Sequence, residues 1–473
     1  MGMRLVSLVV LLAAVLSGCV GDPQVASRRL PPLEHIVLVT IDTLRADHTS
    51  AYGYPVQTTP WLDELAARGI VFRRAYAQSA TTKPSHASLF TGLYPVQHGV
   101  QNNIDVLDHK FETLAEMLRG QGYRTAAFVS ADAPLGGNVG QGFEHWDQPQ
   151  LDDRQPPTSL YRSAGATVGR AIDWLQSNVS PDEKLFLWVH VYDPHRPMNP
   201  PPEHRREVER LIRALGRQRH VETLLAQDIP ADDPRGYDRV VDYDAEIRYA
   251  DTELQRLYRS MDAAGLNGDG LWIVTADHGQ GLGAHGRFGH SLQIYNAQLH
   301  VPLVFWFTEG TVPARDIGDQ VVELVDILPT IADLVEGAEV RQIGPIRGRS
   351  LLPFLRGESP RQSKHFAYAE RSRYVNPSPA RLVKPNHEPG SRYAYQDLEY
   401  MYLLFTEGPD ELYHLSSDPY EIDNVIDDPA HAEHGAQLRE LLIAMLEETT
   451  TDRTVGTVSE EEIERLRALG YIQ

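Results

Sequence analysis

Thr82 stands where a helix is predicted to begin, and its hydroxyl could act there as a nucleophile. Pro84 suits the first turn of such a helix and Gly92 suits its end. Free backbone N–H groups and the positive dipole end at a helix N-terminus favour anions, so a bound sulfate or phosphate and an alkoxide on Thr82 would both be stabilised. A threonine at this position more often only caps its helix, and the segment alone leaves both interpretations open.

Three short apolar segments elsewhere each end in acidic or imidazole side chains. Asp42 follows residues 35–41, Asp277 and His278 follow residues 271–275, and Asp193 and His195 follow residues 185–191. Nearly continuous apolar runs of this length are typical of strands buried on both faces of a parallel sheet. Ligands bind beyond the carboxyl ends of the strands in such sheets, so these distant clusters are predicted to meet at one edge.

The segments between these strands carry apolar residues at three- and four-residue spacing, which predicts helices. They cover residues 60–69, 114–122, 165–177 and 244–264. Alternating strands and helices predict an α/β fold with a doubly wound, mostly parallel sheet.

The pattern changes after residue 345, where a smaller C-terminal α+β subdomain is predicted over residues 346–450. Its predicted strands lie at 365–369 and 401–405, and its predicted helix lies at 432–447. Ser459 and Glu462 form a capping-box pattern, which predicts a further helix within the tail 451–473.

Two stretches rich in proline and charge, 198–240 and 371–396, show no clear periodicity. We expect irregular loops there. They would either rim the site and read the substrate or be solvated insertions.

Charge and length limit the class of protein. The chain has 473 residues, 44 Lys plus Arg against 65 Asp plus Glu, and a formal net charge of -21. Such a chain can bury one large domain and a smaller one. Its net charge would repel a nucleic-acid backbone, so we expect no nucleic-acid partner.

The N-terminus is typical of an exported protein. Arg4 precedes an apolar run, residues 5–16, that is too short to span a bilayer and matches a signal-peptide core. The run ends in Leu-Ser-Gly-Cys, which resembles the bacterial lipobox. The resemblance implies a lipoprotein signal peptide over residues 1–18 and a lipid on Cys19. The chain would then be held at a membrane of the bacterial cell envelope, facing the periplasm or the outer surface.

Residues 19–33 would be the tether between that lipid and the folded domain. An ordinary secretory cleavage site with an incidental cysteine is the alternative. Cys19 is the only cysteine, so the chain cannot form an internal disulfide.

The segment 81–92, Thr-Thr-Lys-Pro-Ser-His-Ala-Ser-Leu-Phe-Thr-Gly, resembles the signature of the sulfatase family within the alkaline phosphatase superfamily. The resemblance extends from Val-Leu-Val-Thr-Ile-Asp-Thr-Leu-Arg-Ala-Asp-His at 37–48 to Glu-Leu-Tyr-His-Leu at 411–415. Thr82 occupies the position of the nucleophile. Many sulfatases carry a formylglycine there, but threonine cannot be converted to one, so none is expected.

The resemblance also implies an alkaline phosphatase-like catalytic domain over residues 34–345 with one divalent metal ion. Its ligands would be Asp42, Thr82, Asp277 and His278, and Thr43 stands where many relatives have a further acidic ligand. Two carboxylates, an imidazole and a threonine oxygen suit calcium, zinc or manganese.

Further site residues are implied by the same resemblance. His195 is the candidate general acid, and His290 stands where many sulfatases have an anion-binding lysine. Lys83, His86 and Asn103 are candidate substrate-binding residues, with His86 in place of the usual arginine. His98, His190 and His285 are interpreted as ordinary polar contacts.

Together these residues predict a hydrolase of sulfate or phosphate esters that works through a covalent intermediate on Thr82. The substrate would be a sulfated or phosphorylated small molecule, glycan or lipid headgroup. Two alternatives remain at this stage: a phosphoethanolamine- or phosphoglycerol-type transferase, and a catalytically inactive binding lipoprotein.

Overall fold

A computed structural model describes residues 30–449, except 31, 132–134, 150–160, 309, 311, 343–344, 359–365 and 373–389. The predicted signal peptide, Cys19, nearly all of the tether, most of the stretch 371–396 and the predicted tail helix lie outside the described residues. Across the described residues, no helix is both long and apolar enough to cross a membrane.

Fifteen strands are found in the described part of the chain. They are β1 (His35–Ile41), β2 (Ile70–Tyr76), β3 (Arg124–Val129), β4 (His145–Asp147), β5 (Leu185–Val191), β6 (Gly270–Ala276), β7 (Gly281–Leu282), β8 (Phe288–Gly289), β9 (His300–Val301), β10 (Leu303–Phe307), β11 (Arg315–Glu323), β12 (Ala367–Arg371), β13 (Arg392–Gln396), β14 (Tyr400–Phe405) and β15 (Glu411–His414).

Twelve α-helices accompany them in the same part of the chain. They are α1 (Pro60–Arg68), α2 (Thr82–Thr91), α3 (Pro95–His98), α4 (Leu114–Gly120), α5 (Ala164–Asn178), α6 (Pro202–Leu215), α7 (Arg217–Ala226), α8 (Pro234–Ala263), α9 (Asn296–Leu299), α10 (Ile327–Leu334), α11 (Leu352–Arg356) and α12 (Ala432–Thr449).

A nine-stranded sheet forms the centre of the molecule. Its order is β11-β2-β10-β6-β1-β5-β3-β4, with β9 paired to β2. The pairs of β1 with β5 and with β6 are parallel, as are β3 with β5 and β4 and β2 with β11, whereas β10 and β9 run antiparallel to their neighbours. Every residue of β1, β5 and β6 is buried, as their apolar runs predict.

A second, antiparallel sheet in the order β12-β13-β14-β15 forms the C-terminal subdomain with α12. The predicted fold, an α/β domain with a mostly parallel sheet and a smaller α+β subdomain, is therefore confirmed. Leu438 and Leu442 of α12 are buried against the tyrosines of this small sheet.

The prediction of an irregular stretch at 198–240 is wrong, because α6, α7 and the first residues of α8 occupy it. Pro202 begins α6, and Val208 and Ile212, four residues apart, are its buried positions. Gly216 follows the helix with φ 99°, a value that suits glycine. Most of the other residues of α6 are charged and none of them is buried, which hid the helical spacing in the sequence.

Candidate active site

The two strands at the centre of the sheet bring Asp42 and Asp277 together. Strands β1 and β6 are parallel neighbours with Ile41 opposite Ala276, so the residues that follow them leave the sheet side by side. Asp42, Asp277 and His278 are each 0% exposed. One ligand atom from each of the three lies within 4.8 Å of the others.

Hydrogen bonds orient Asp277 and His278. Asp277 Oδ1 accepts from the backbone N–H groups of Thr43 (3.2 Å) and His278 (2.9 Å). The Nδ1–H of His278 donates to the carbonyl of Gly279 at 2.9 Å, so its Nε2 carries the lone pair. That Nε2 lies 3.4 Å from Asp277 Oδ2, which makes no hydrogen bond within the described structure.

Thr43 connects the two strand ends under backbone strain. It has φ 59°, an unusual value for a β-branched residue. Its carbonyl accepts from the Tyr243 hydroxyl at 2.7 Å, and its N–H donates to Asp277. These contacts hold a conformation that costs on the order of 1–3 kcal/mol, as is common where function requires it.

Thr82 reaches the same point from helix α2. It is the first residue of the helix, and Gly92 follows the last turn in the left-handed region, as the sequence predicts. Thr82 Oγ1 lies 3.3 Å from His278 Nε2 and is 0% exposed. The Ser85 hydroxyl donates to the carbonyl of Asp277 at 2.5 Å, which fastens the first turn of α2 to the strand end.

Asn103 and Lys83 lie beside the start of α2. Asn103 Oδ1 accepts from the Lys83 backbone N–H at 2.9 Å. The side-chain NH₂ of Asn103 is buried and has no hydrogen-bond partner among the described residues. The Lys83 side chain is also fully buried, near Asp105. Burial raises the pKa of Asp105, and the positive charge of Lys83 opposes that increase. The helix start therefore carries an amide donor and an ammonium group.

His195 and His290 form a pair next to His278. The Nε2 atoms of His195 and His290 are 2.9 Å apart, and the rings of His278 and His290 are 4.6 Å apart. His195 Nδ1–H donates to the Arg196 carbonyl at 2.6 Å, and His290 Nδ1 lies 2.8 Å from the Ser291 hydroxyl and 3.2 Å from the Ala80 carbonyl. Burial lowers the pKa of His195 to about 4 and that of His290 well below its usual value.

His86 lies in the interior beneath the helix start, where it faces other side chains of the protein. Its Nδ1 lies 2.9 Å from the Thr82 carbonyl, its Nε2 lies 3.1 Å from Thr40 Oγ1, and its ring contacts that of Trp188 at 5.2 Å between centroids. Burial lowers its pKa to about 3. All of these contacts are to other groups of the protein, so the substrate-binding role expected for His86 gains no support from its position.

The sequence analysis gives Thr40 no role and interprets His190 only as an ordinary polar contact. Thr40 is opposite His190 in the β1–β5 register, and His190 Nε2 lies 3.5 Å from Asp42 Oδ2. Both are polar residues inside otherwise apolar buried strands, Thr40 two positions before Asp42 and His190 three positions before Asp193. That pattern could have identified them.

His98, His285 and Asp47 lie apart from this cluster. His98 contacts the Ser88 hydroxyl at 3.0 Å, and His285 stacks on Tyr295 at 3.7 Å between ring centroids. Asp47 is paired with Arg45, with N···O distances of 2.6 and 2.8 Å. That arginine lowers the pKa of Asp47 to about 2 against the opposing effect of burial.

The donor set fits a divalent cation. Buried carboxylates are normally surrounded by hydrogen-bond donors, since an uncompensated charge in the interior is costly. Here the Oδ2 of Asp277 faces the lone pair of His278 Nε2, and Asp42 lies beside both. Two carboxylates and an imidazole whose other nitrogen is bonded to a carbonyl are typical of a metal site.

Residues 34–338 match the family model described as Sulfatase, and residues 283–448 match the model described as N-sulphoglucosamine sulphohydrolase, C-terminal. The chain is 26% identical to the multifunctional alkaline phosphatase superfamily protein PehA of Trinickia caryophylli, over 84% of this chain and 92% of that protein. It is 25% identical to an ulvan-active sulfatase of Formosa agariphila, over 84% and 78% of the two chains.

Solved structures share the fold. The phosphonate monoester hydrolase of Agrobacterium radiobacter superposes with a TM-score of 0.70 at 24% identity, covering 90% of this chain and 100% of that one. A structure titled BT4656 in complex with D-glucosamine-2-N,6-O-disulfate superposes with a TM-score of 0.70 at 21% identity, covering 89% and 98%.

Proposed function

Because the chain belongs to the sulfatase family and is a sulfatase-like ester hydrolase, we propose that it hydrolyses a sulfate or phosphate ester with Thr82 as its nucleophile and one divalent ion as its cofactor. The observation that carries this proposal is the meeting of Asp42, Asp277 and His278 beside the Thr82 hydroxyl. Asp42, Asp277, His278 and Thr82 Oγ1 would hold the ion. Calcium, zinc and manganese all suit these atoms.

A bound divalent ion would lower the pKa of the Thr82 hydroxyl and polarise the ester oxygen that faces it. Thr82 Oγ1, having lost its proton to solvent, attacks the sulfur or phosphorus, and the bond to the leaving oxygen breaks. The His195–His290 pair, whose pKa an anionic substrate would raise, gives the leaving oxygen its proton. Water then attacks the threonyl ester, returns a proton to the pair and releases Thr82.

Residues at the start of α2 would bind the non-reacting oxygens. The Asn103 NH₂ group is a buried donor with no partner among the described residues, and the Lys83 charge lies close by. Donors fixed before the reaction stabilise charge that develops in the transition state. We assign substrate binding to Asn103 and Lys83, and give His86 a supporting role inside the protein.

The nature of residue 82 favours an unmodified nucleophile. Cys19 is the only cysteine of the chain, and residue 82 is threonine, so neither formylglycine from cysteine nor its formation from serine applies at this position. The relatives named above include a sulfatase and a phosphonate monoester hydrolase. We propose a sulfated or phosphorylated small molecule, glycan or lipid headgroup as the substrate.

Kinetics of Thr82→Ala on an aryl sulfate, a phosphate monoester and a phosphodiester test the mechanism. We expect kcat to fall by on the order of 10⁴-fold on whichever substrate the native protein turns over, because the attacking oxygen is lost. Thr81→Ala is the matched control, since Thr81 is adjacent and makes no capping bond with its side chain.

Full activity in Thr82→Ala would refute the mechanism. Metal uptake without turnover of any of the three substrates would support the catalytically inactive binding protein instead. Transfer of the group to an added alcohol in preference to water would support the transferase.

We also propose that a lipid on Cys19 holds the protein in the bacterial cell envelope, on the grounds of the lipobox-like segment alone. Labelling of cells with a radioactive fatty acid tests this proposal. The native protein should carry label and Cys19→Ala should carry none, whereas an unlabelled native protein would indicate ordinary secretion.

A further inference from the structure

A line of buried polar contacts joins the nucleophile's helix to the metal ligand Asp42 from behind. It runs from the Thr82 carbonyl to His86 (2.9 Å), then to Thr40 Oγ1 (3.1 Å), His190 (2.9 Å) and Asp42 Oδ2 (3.5 Å). All five residues on this line are 0% exposed.

The hydroxyl of Thr40 is the centre of this line. It accepts from the Trp188 indole N–H at 3.0 Å, so it has one lone pair and one proton left for the two imidazoles. His86 must place its N–H on Nδ1, because the Thr82 carbonyl only accepts. Neutral His86 therefore accepts a hydrogen bond from the Thr40 hydroxyl at Nε2, and His190 donates its Nδ1–H to the Thr40 oxygen.

This pattern leaves His190 Nε2 as a lone pair directed at Asp42. Nε2 has no hydrogen-bond partner among the described residues. Two acceptors 3.5 Å apart in a dry interior repel each other unless positive charge lies near them. The direction of the hydrogen bonds along this line is therefore compatible with a cation held by Asp42. His190 contacts Asp42 on a side to which the sequence analysis assigns no role.

We propose that Thr40, His86 and His190 form a positioning unit that fixes the first turn of α2 relative to Asp42, so that the nucleophile and the metal ligand keep their separation. This inference rests on the proposed metal site. The contacts of these three residues with the site are to Thr82, to Asp42 and, through His86 Nδ1 at 3.8 Å, to Asp277 Oδ2, so they would act through the nucleophile's helix and the metal ligands. Sequence neighbours cannot supply this connection, because Thr40 and His190 meet only through the β1–β5 pairing.

Mn²⁺ binding by the full chain, measured by titration calorimetry and by the EPR spectrum of the bound ion, tests the unit without any substrate. Thr40→Val keeps the shape of the side chain and removes the hydroxyl. We expect its Mn²⁺ affinity to fall about tenfold or more, as is typical when a group that orients a metal ligand is lost. Thr40→Ser, which restores the hydroxyl, should recover most of the affinity.

Thr125→Val is the matched control. Thr125 is fully buried in β3 of the same sheet, and its hydroxyl donates to the Gly142 carbonyl at 2.8 Å, away from the site. This variant should lose thermal stability but keep the native Mn²⁺ affinity and EPR spectrum. Equal Mn²⁺ affinities for Thr40→Val and the native chain would overturn the proposal.

Two further variants distinguish failure of the positioning unit from misfolding and from failure of the metal site. If Thr40→Val does not fold, His190→Gln replaces it, with the same expected loss of affinity and the same overturning result. Asp42→Asn reports on the metal site itself. If Asp42→Asn binds Mn²⁺ as the native chain does, both the proposed metal site and this inference are refuted. If Asp42→Asn loses binding while Thr40→Val and His190→Gln keep the native affinity, only the positioning unit is refuted.

Discussion

Two buried clusters of carboxylate and imidazole lie near the end of β1, and they differ in what surrounds the carboxylate. Asp244 on α8 accepts from His48 and from the Tyr54 hydroxyl, each at 2.8 Å, one on each carboxylate oxygen. The Oδ2 of Asp277 instead faces the lone pair of His278. Both carboxylates are 0% exposed.

The difference separates a structural cluster from a functional one. Donors around Asp244 compensate its charge within the protein, and His220 of α7 adds a bond of 2.9 Å to the Tyr54 hydroxyl, so the cluster ties α7 and α8 to the loop after β1. In the Asp277 cluster, backbone N–H groups compensate Oδ1 but Oδ2 has no donor among the described residues, and the proposed cation would supply the missing positive charge. Burial and residue type are the same in the two cases, so only the direction of the hydrogen bonds distinguishes them.

Exchanging a carboxylate for an amide in each cluster should have opposite effects, and this is the largest contrast we expect after loss of the nucleophile. Asp277→Asn should weaken Mn²⁺ binding by more than about 100-fold, since it removes a ligand charge. Its thermal stability without metal should be unchanged or higher, because a repulsive contact between acceptors is relieved.

Asp244→Asn should do the reverse. We expect its free energy of unfolding to fall by about 2 kcal/mol, because hydrogen bonds to a charged group are lost, while its Mn²⁺ affinity stays within a few-fold of the native value. Denaturant titration and calorimetry measure both quantities. Loss of metal binding in both variants would show that the two clusters do not differ as proposed.

A third buried cluster sharpens the contrast, because it contains two carboxyl groups and a bound proton neutralises one of them. Asp193 and Glu246 are hydrogen-bonded to each other, and burial followed by the charge of Asp193 raises the pKa of Glu246 to about 9. Because the pKa of Glu246 is higher in the folded than in the unfolded protein, the contribution of its protonated form to stability is fully present below pH 4.5 and is lost as the pH rises toward 9. We therefore expect the native protein to lose thermal stability between pH 6 and pH 9.

Glu246→Gln should lose less stability over that range, because the amide does not ionise. Scanning calorimetry at several pH values measures the difference, and Glu253→Gln, a change on the same helix, is the control. Added Mn²⁺ should raise the melting temperature of native protein and variant equally. The interpretation would be wrong if the two pH profiles coincided.

The smallest effect is expected at Asp47, which resembles a metal ligand in sequence but is paired with Arg45. Asp47→Asn should leave Mn²⁺ affinity unchanged and lower stability by about 1 kcal/mol, since the carboxylate is partly exposed. Its lowered pKa means that the contribution of the native carboxylate is present above pH 4 and is lost as the pH falls toward 2. A large loss of Mn²⁺ affinity would instead place Asp47 in the metal site.

Much of the fold follows from local patterns. The apolar runs of β1, β5 and β6 predict buried parallel strands, and Pro84 with Gly92 predicts the limits of the helix that carries Thr82. The stretch 198–240 could not be interpreted in this way, because α6 buries few residues and its charged face dominates the composition. There the helix depends on packing against α8, which is not visible in the local sequence.

The sequence by itself determined which side chains could do chemistry and that strand ends would present Asp42, Asp277 and His278 at one edge, because strand periodicity and chain direction are local properties. Only the tertiary structure decided which nitrogen of each histidine carries a lone pair, that His86 faces inward, and that Thr40 and His190 stand behind Asp42. The reason is physical: hydrogen-bond direction depends on partners that are distant in the sequence, such as His278, 196 positions from Thr82, and the pairing of strands brings those partners together.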